Sequence, residues 1–446
     1  QFILGSMFYA GQYVSQSIIL AITYFKQASE HNNVFALFNL GTIYIDNKYI
    51  KRNVNESIKY YKQAADLNYS EAQNELGCIY YEGKYIKQDI NKAIEYYNLA
   101  ANQNHAIAQF NLGIIYLNGK HVHRDMAKSI NYFTLSAKQN YLLAQYYLGH
   151  IYYDNEYIKC DINKAIEYFN LAAKQNDIKS HYFLGLIYYD NKYIQRDMDK
   201  CIYHLNQAAI NGHLNAQYKL VDIFYNGLYV PRDISRSILY LTLASDQNCS
   251  EAQNFLGTIY FDGEYIQQNI EKAIYYFKLA SDQDNANAQY NLGLLYYLQK
   301  DIKNAIHYFL LSSKQHPYSQ NFLGVLYYDN KYIPRDINKS IYYFTMSANG
   351  NYPRAQHNLG PIYYQDKYIP RDIKKSLYYF NLAEKNNFHD SALKLGEIYY
   401  EGKYVEKDIE KAIHYFKEAS SFNNEYAKNN LGIIYKNGFE NKVNKN

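Results

Sequence analysis

Side chains able to do covalent or metal chemistry are few and scattered along this sequence. Four cysteines, Cys78, Cys160, Cys201 and Cys249, stand far apart in different surroundings, which does not read as a disulfide framework. No Cys-x-x-Cys, His-Glu-x-x-His or other zinc spacing occurs, and His121 with His123 is an isolated loop pair suited to solvent rather than to a metal. No Ser-Lys or Ser-His arrangement stands apart from the surrounding pattern, so no nucleophile is seen beside its base. Aspartates are abundant, but Asp89, Asp125, Asp161, Asp197, Asp233, Asp301, Asp336, Asp372 and Asp408 all recur at one place in a repeating unit. Each precedes an apolar helical stripe and can accept from the free amides of a first turn, as can Asn53, Asn269 and Ser17. These residues are therefore expected to be caps rather than catalysts. The expectation is a non-enzymatic chain with no catalytic residue, metal or cofactor.

The elements that carry them follow from the repeat. A Leu-Gly pair returns at Leu4-Gly5, Leu40-Gly41, Leu76-Gly77 and onward to Leu431-Gly432, in steps of 36 residues and once of 31, with Leu220-Val221 filling the one vacancy. The 446 residues are thus accounted for by about twelve units, which leaves no room for a separate catalytic domain. In the unit starting at Ala72, the residues Ala72, Leu76, Ile79 and Tyr80 make the apolar stripe of a first helix, and Ala93, Ile94, Tyr97 and Ala100 that of a second. The Ala93 position always holds a small side chain, so Cys201 stands there as an alanine substitute. Second helices should end on left-handed residues at Asn32, Asn68, Asn104, Asn140, Asn176, Asn248, Asn351, Asn387 and Asn423, with Gly212 in the same slot. First helices should stop at Gly83, Gly119, Gly227, Gly263 and Gly402, or at Asn47, Asn155, Asn191 and Asn330.

A unit of small-x-x-x-Leu-Gly-x-x-Tyr, a loop, then Lys-Ala-Ile-x-Tyr-Tyr-x-x-Ala-Ala resembles the Sel1-like repeat, a relative of the tetratricopeptide repeat. Leu76, Gly77, Tyr80, Gly83, Asp89, Ala93, Tyr97, Ala100 and Ala101 carry the match. The resemblance implies an all-α fold, a right-handed α-solenoid of helix-loop-helix units over residues 1–446. It also implies an adaptor or scaffold in multiprotein assemblies such as ubiquitin-ligase machinery, signalling and cell-wall synthesis regulation. An alternative is the regulatory or interaction arm of a larger enzyme, a protein kinase or ubiquitin-ligase subunit. Some cysteine-rich relatives are associated with β-lactams, but they need paired cysteines within repeats, which this chain lacks. The short unit at 293–323 is a candidate bend.

A solenoid leaves an extended concave face, lined in related repeats by the first helices. By that analogy the residue three before each glycine and the residue after it point inward. They give Phe110, Tyr146, Tyr182, Tyr218, Asn254 and Tyr290 in one row and Ile114, His150, Leu186, Asp222, Thr258 and Leu294 in another. A groove of this kind suits a protein or peptide partner. The plain alternative is that the tyrosines pad contacts between repeats. A Gln ladder (Gln73, Gln109, Gln145, Gln217, Gln253, Gln289, Gln320, Gln356) reads as stitching between helices. Acidic residues ending the first helices, among them Asp46, Glu82, Asp190, Asp329 and Glu401, are expected to pair with Lys48, Lys84, Lys192, Lys331 and Lys403 two residues on.

With 46 Lys plus Arg against 42 Asp plus Glu, the charge of +4 gives no basis for a nucleic-acid surface, even though Arg52, Arg124, Arg196, Arg232, Arg335 and Arg371 recur on loops. No apolar run is long enough to cross a membrane. The chain opens on Gln1 inside a helical pattern, so a leader or a neighbouring domain would lie outside it; the compartment stays open, leaning to the cytoplasm. Pro317 and Pro353 suit first turns, whereas Pro361 falls inside a first helix and is expected to break it.

Overall fold

The computed structural model describes residues 1–446 apart from Asn155, Tyr157, Asn437 and 439–446. The helix end expected at Asn155 and the polar tail from Phe439 to Asn446 therefore lie outside the described residues. Among the described residues there are twenty-five helices, α1 (Phe2–Ala10) to α25 (Glu425–Lys436), and no strand. The chain divides into two compact units, Gln1–Pro231 and Arg232–Asn446. In each, first helices alternate with second helices, and every helix packs on its sequence neighbour.

The hairpin of α5 (Ser70–Glu82) and α6 (Ile90–Asn102) shows how the residues dictate the form. Asp89 opens α6 by accepting from the Lys92 amide at 3.1 Å. All twelve expected caps do the same, from Ser17 to Asp408. At the far end of α6, Asn104 turns left-handed with φ 61°, which lets the His105 amide return to the Ala100 carbonyl at 3.1 Å. Every expected left-handed residue after a second helix adopts positive φ, Gly212 included, and Asp284 fills the same slot.

The Leu-Gly glycine is required by a close approach. A Cβ on Gly77 would lie 2.5 Å from a ring carbon of Tyr97, which is buried in the second helix of the same hairpin. Gly113 meets Phe133, Gly149 meets Phe169 and Gly257 meets Phe277 in the same way. Hairpin closure is thus a ring laid flat on a bare patch of backbone. Each such ring, fully buried, stabilises its hairpin by roughly 1.5–3 kcal/mol. In the short repeat the loop between α17 (Ala286–Leu298) and α18 (Ile302–Ser312) has only three residues, turned by Lys300 at φ 62°, yet Gly293 still receives the ring of Phe309. Cys201 is fully buried in the alanine place, where burial pushes its thiol up to about 12.

Three expectations about helix ends are corrected. Gly83, Gly119, Gly227, Gly263, Gly402 and Asn330 end their helices in the left-handed region, but Asn47 and Asn191 do not. There α3 (Val34–Ile45) and α11 (Ile178–Tyr189) stop one residue sooner on extended Asp46 and Asp190. Asn47 and Asn191 instead accept the amides of Arg52 and Arg196 through their side chains at 3.2 and 3.1 Å, closing the loop without a left-handed residue. Second, the acidic ends do not form ion pairs with the lysines two residues on. Lys48, Lys84, Lys192, Lys331 and Lys403 each lie over the next tyrosine, 4.6–5.2 Å from the ring centre.

Third, Pro361 does not break its helix. α21 runs unbroken from Pro353 to Tyr364, and the Gln365 amide closes on the Pro361 carbonyl at 3.0 Å. Pro361 costs one backbone bond, to the His357 carbonyl. Leu359 and Ile362, 0 and 4% exposed, hold the segment in its packed place. Pro317 and Pro353 do occupy first turns.

Candidate binding face of the first helices

Most of the Gln ladder is consumed by structure; at Gln320 the amide donates to the Ser313 carbonyl at 2.6 Å while its buried oxygen has no partner. Gln73 donates to the Ala65 carbonyl at 3.1 Å and accepts from Gln103 at 2.7 Å. The same double link joins Gln109 to Ala101 and Gln139, and Gln145 to Ala137 and Gln175. With both functions of the amide in use and the side chain buried, little remains for a ligand.

The row three before each glycine also meets the following repeat. Asn74 accepts from Asn111 at 3.2 Å and Asn254 from Asn291 at 3.0 Å. Phe110 is buried and packs on Phe133, Tyr141 and Tyr147, so it cannot face a partner; this corrects its place in the expected groove. Tyr146 is half-buried against Phe169 and Phe183, Tyr182 stacks on His213 at 4.3 Å, and Tyr290 lies against Phe309 and His316. Tyr218 is half-buried. For Tyr146, Tyr182 and Tyr290 the padding role is met, and each remains half-buried rather than closed off.

The row after the glycine is half-buried in the same way, Asp222 excepted. Ile114, Leu186, Thr258 and Leu294 are half-buried, His150 meets Phe183 edge-on at 5.4 Å, and Asp222 is exposed. Asp222 holds Lys219 at 3.6 Å and Asn226 at 2.6 Å.

Cavities recur at the same register between successive first helices. In the first unit a cavity of about 420 Å³ lies between the end of α7 (Ala106–Asn118), with Leu117, and α9 (Leu142–Tyr153), with Tyr146 and His150. Asp154 and Lys179 complete its rim. The structure thus brings together Tyr146 and His150 of the expected residues. In the second unit one cavity of about 270 Å³ joins Val325 to His357 and Pro361, and another of about 240 Å³ joins Pro361 to Lys394 and Glu397. Val325, Pro361 and Glu397 each follow a repeat glycine, so extending the rows beyond Leu294 finds them.

Other features were not anticipated. The loop arginines are staples: Arg52, Arg196, Arg335 and Arg371 donate through Nε to the carbonyl seven residues back at 2.6–2.8 Å. Their guanidinium groups lie over Tyr85, Tyr229, Tyr368 and Tyr404 of the next repeat, 3.6–4.7 Å from the ring centres. His181 takes the place of a ladder glutamine and meets His204 Nδ1 to Nδ1 at 3.0 Å, both buried. Burial, then the neighbouring His181 and Lys200, lower His204 to about 4. Burial raises Glu75, and pushes the Cys78 thiol up to about 11. Among the described residues no three His, Cys, Asp or Glu side chains are grouped as metal ligands, and no helix is long and apolar enough to cross a membrane.

The family profile of the Sel1 repeat matches this chain twelve times, in contiguous segments from 1–33 to 389–421. Two solved structures are similar. One is c5321, a protective antigen present in uropathogenic Escherichia coli strains displaying an SLR fold, at 27% identity and TM-score 0.63, over 93% of this chain and 90% of that one. The other is a Sel1 repeat protein from Oxalobacter formigenes, at 26% identity and TM-score 0.50, over 76% of this chain and 90% of that one. No curated protein sequence is significantly similar.

Proposed function

We propose that this chain, which belongs to the Sel1 repeat family, is a non-enzymatic scaffold that recruits protein partners along the face of its first helices. Repeat solenoids of this kind generally mediate protein–protein interaction, and the extended face of stacked first helices is their usual binding surface. The observation that carries the reading is the recurrence of cavities between successive first helices, at one register in both units. Each offers an apolar floor and a charged rim, the pattern of a site that anchors a side chain and orients its backbone. On this reading Tyr146, His150, Tyr182, Leu186, Tyr218, Asp222, Asn254 and Tyr290 present their open edges to the partner, with Ile114 beneath. Phe110 acts only by supporting Tyr147.

The test is affinity capture with mass spectrometry, comparing the native chain with a His150→Ala, Lys179→Ala, Asp222→Ala variant of equal helicity and melting temperature. Loss of a partner from the variant supports the reading. Survival of every partner on this variant, and on a Lys394→Ala, Glu397→Ala variant at the cavities of the second unit, places binding on the second helices or the loops and overturns it.

A further inference from the structure

Three junctions between repeats carry a pair of asparagines. Asn stands three before the glycine at Asn74, Asn254 and Asn321, and in each case the residue two before the next glycine is Asn as well: Asn111, Asn291 and Asn358. At other junctions the same two rows bring rings together, as Phe110 meets Tyr147 and Tyr146 meets Phe183. Two of the asparagine pairs lie in the second unit. Asn291 on α17 donates through Nδ2 to Oδ1 of Asn254 on α15 (Ser250–Asp262) at 3.0 Å, and Asn358 on α21 donates to Asn321 on α19 (Pro317–Asp329) at 3.1 Å. All four residues stand on first helices.

Each link spends only half of each amide. A primary amide offers two N–H donors and an oxygen with two lone pairs. Asn254 and Asn321 give the link their oxygen alone, so that among the described residues Nδ2 of each has no partner; Asn291 and Asn358 give one hydrogen, and Oδ1 of each has none. The ladder glutamines differ, since Gln109 both donates and accepts. Asn321 is only 8% exposed, and an unmatched amide so deeply set is costly unless something meets it. Yet none of these four open groups is sealed from solvent; among the described residues only Ser180 Oγ and Gln320 Oε1 are both sealed and without a partner. Each pair thus holds an open donor beside an open acceptor within reach of solvent. At Asn74 and Asn111 both nitrogens also lie 3.9 Å from the Cys78 sulfur, and that pair is set apart.

We propose that the pairs Asn254–Asn291 and Asn321–Asn358 bind the main chain of an extended peptide segment of a partner protein. Nδ2 of the first residue in each pair donates to a peptide carbonyl, and Oδ1 of the second accepts from a peptide N–H. An extended segment outside a sheet presents unpaired N–H and C=O groups along its edge, so open donor meets acceptor and open acceptor meets donor. The groups recognised are common to nearly all residues, proline lacking only the N–H. The pairs therefore hold a strand by its backbone, without any demand on its charge, and leave the choice of sequence to the side chains around them. This rests on the reading that first helices form the recognition face, and adds which part of the partner is held.

The experiment selects from a random peptide library on the native chain and measures the winners by fluorescence anisotropy, together with copies N-methylated at one backbone nitrogen at a time. The comparison is an Asn254→Leu, Asn291→Leu, Asn321→Leu, Asn358→Leu variant, which replaces both members of each link by side chains of similar shape. Circular dichroism verifies its fold; should it not fold, the two pairs are replaced in separate variants and read in the same way. Winners should bind the variant about tenfold more weakly, and methylation at one or two particular nitrogens should cost a similar factor on the native chain. The two losses should not add, because methylation removes a group that the variant no longer meets. Winners that bind the variant like the native chain, or methylation losses that are the same on both proteins, overturn the inference. If such winners lose affinity for the His150→Ala, Lys179→Ala, Asp222→Ala variant, the recognition face stands and this assignment alone falls. A library without winners, or winners indifferent to both variants, counts against both.

Discussion

At the residue scale, the recurring glycine and the ring facing it explain most of the pattern. Gly149 has a Cβ position 2.6 Å from Phe169, whose side chain is fully buried and cannot withdraw. Gly149→Ala should therefore destabilise the hairpin despite alanine's better helix propensity, by about 1–3 kcal/mol through overpacking. Thermal unfolding checks this: a clear drop is expected, and an unchanged or raised Tm would show that the ring gives way. The cap residues were readable because each depends only on its own first turn. Asp89, Asp125 and their equivalents accept from the amide three residues on, a relation that spacing alone specifies. At Asn47 and Asn191 the side chain accepts a backbone amide with the helix already ended on an extended aspartate, whereas Asn330 accepts the corresponding amide at φ 57°, so residue type alone does not specify this helix end.

At the element scale, what could be read from the sequence was the hairpin, and what could not was the contact between hairpins. Amphipathic spacing places Leu76 and Tyr97 in one core without knowledge of the next repeat. The residues three before each glycine depend on that next repeat, which is why Phe110 was expected in a groove and lies instead under Tyr147. The stapling role of the loop arginines was not legible for the same reason, since the tyrosine that each covers lies some 33 residues ahead. Pro361 shows the converse error. A local rule predicts a break, but the packing of Leu359 and Ile362 holds α21 together, and the proline lines a cavity on either side of it.

At the scale of the whole molecule, both units bury histidines. Burial lowers His105, His181, His213 and His316, and takes His204 and His357 to about 4. The unfolded chain takes up these protons near pH 6.5, while the folded chain resists them. The stabilisation is therefore complete above about pH 6.5 and is lost as pH falls toward 4. The melting temperature should fall between pH 7 and pH 4.5, and a His204→Gln, His357→Gln variant should show a shallower fall. A Tm that is flat over this range would contradict the account. None of this was readable in the sequence, where His181 and His204 are ordinary members of two different helices.

The recognition face is most directly tested by hydrogen–deuterium exchange on the native chain with a captured partner. Added protection should concentrate in first helices, including α9, α11 and α21, with the second helices between them unchanged. Protection confined to the second helices, or to the loops joining them, would contradict the assignment of function to the first-helix face.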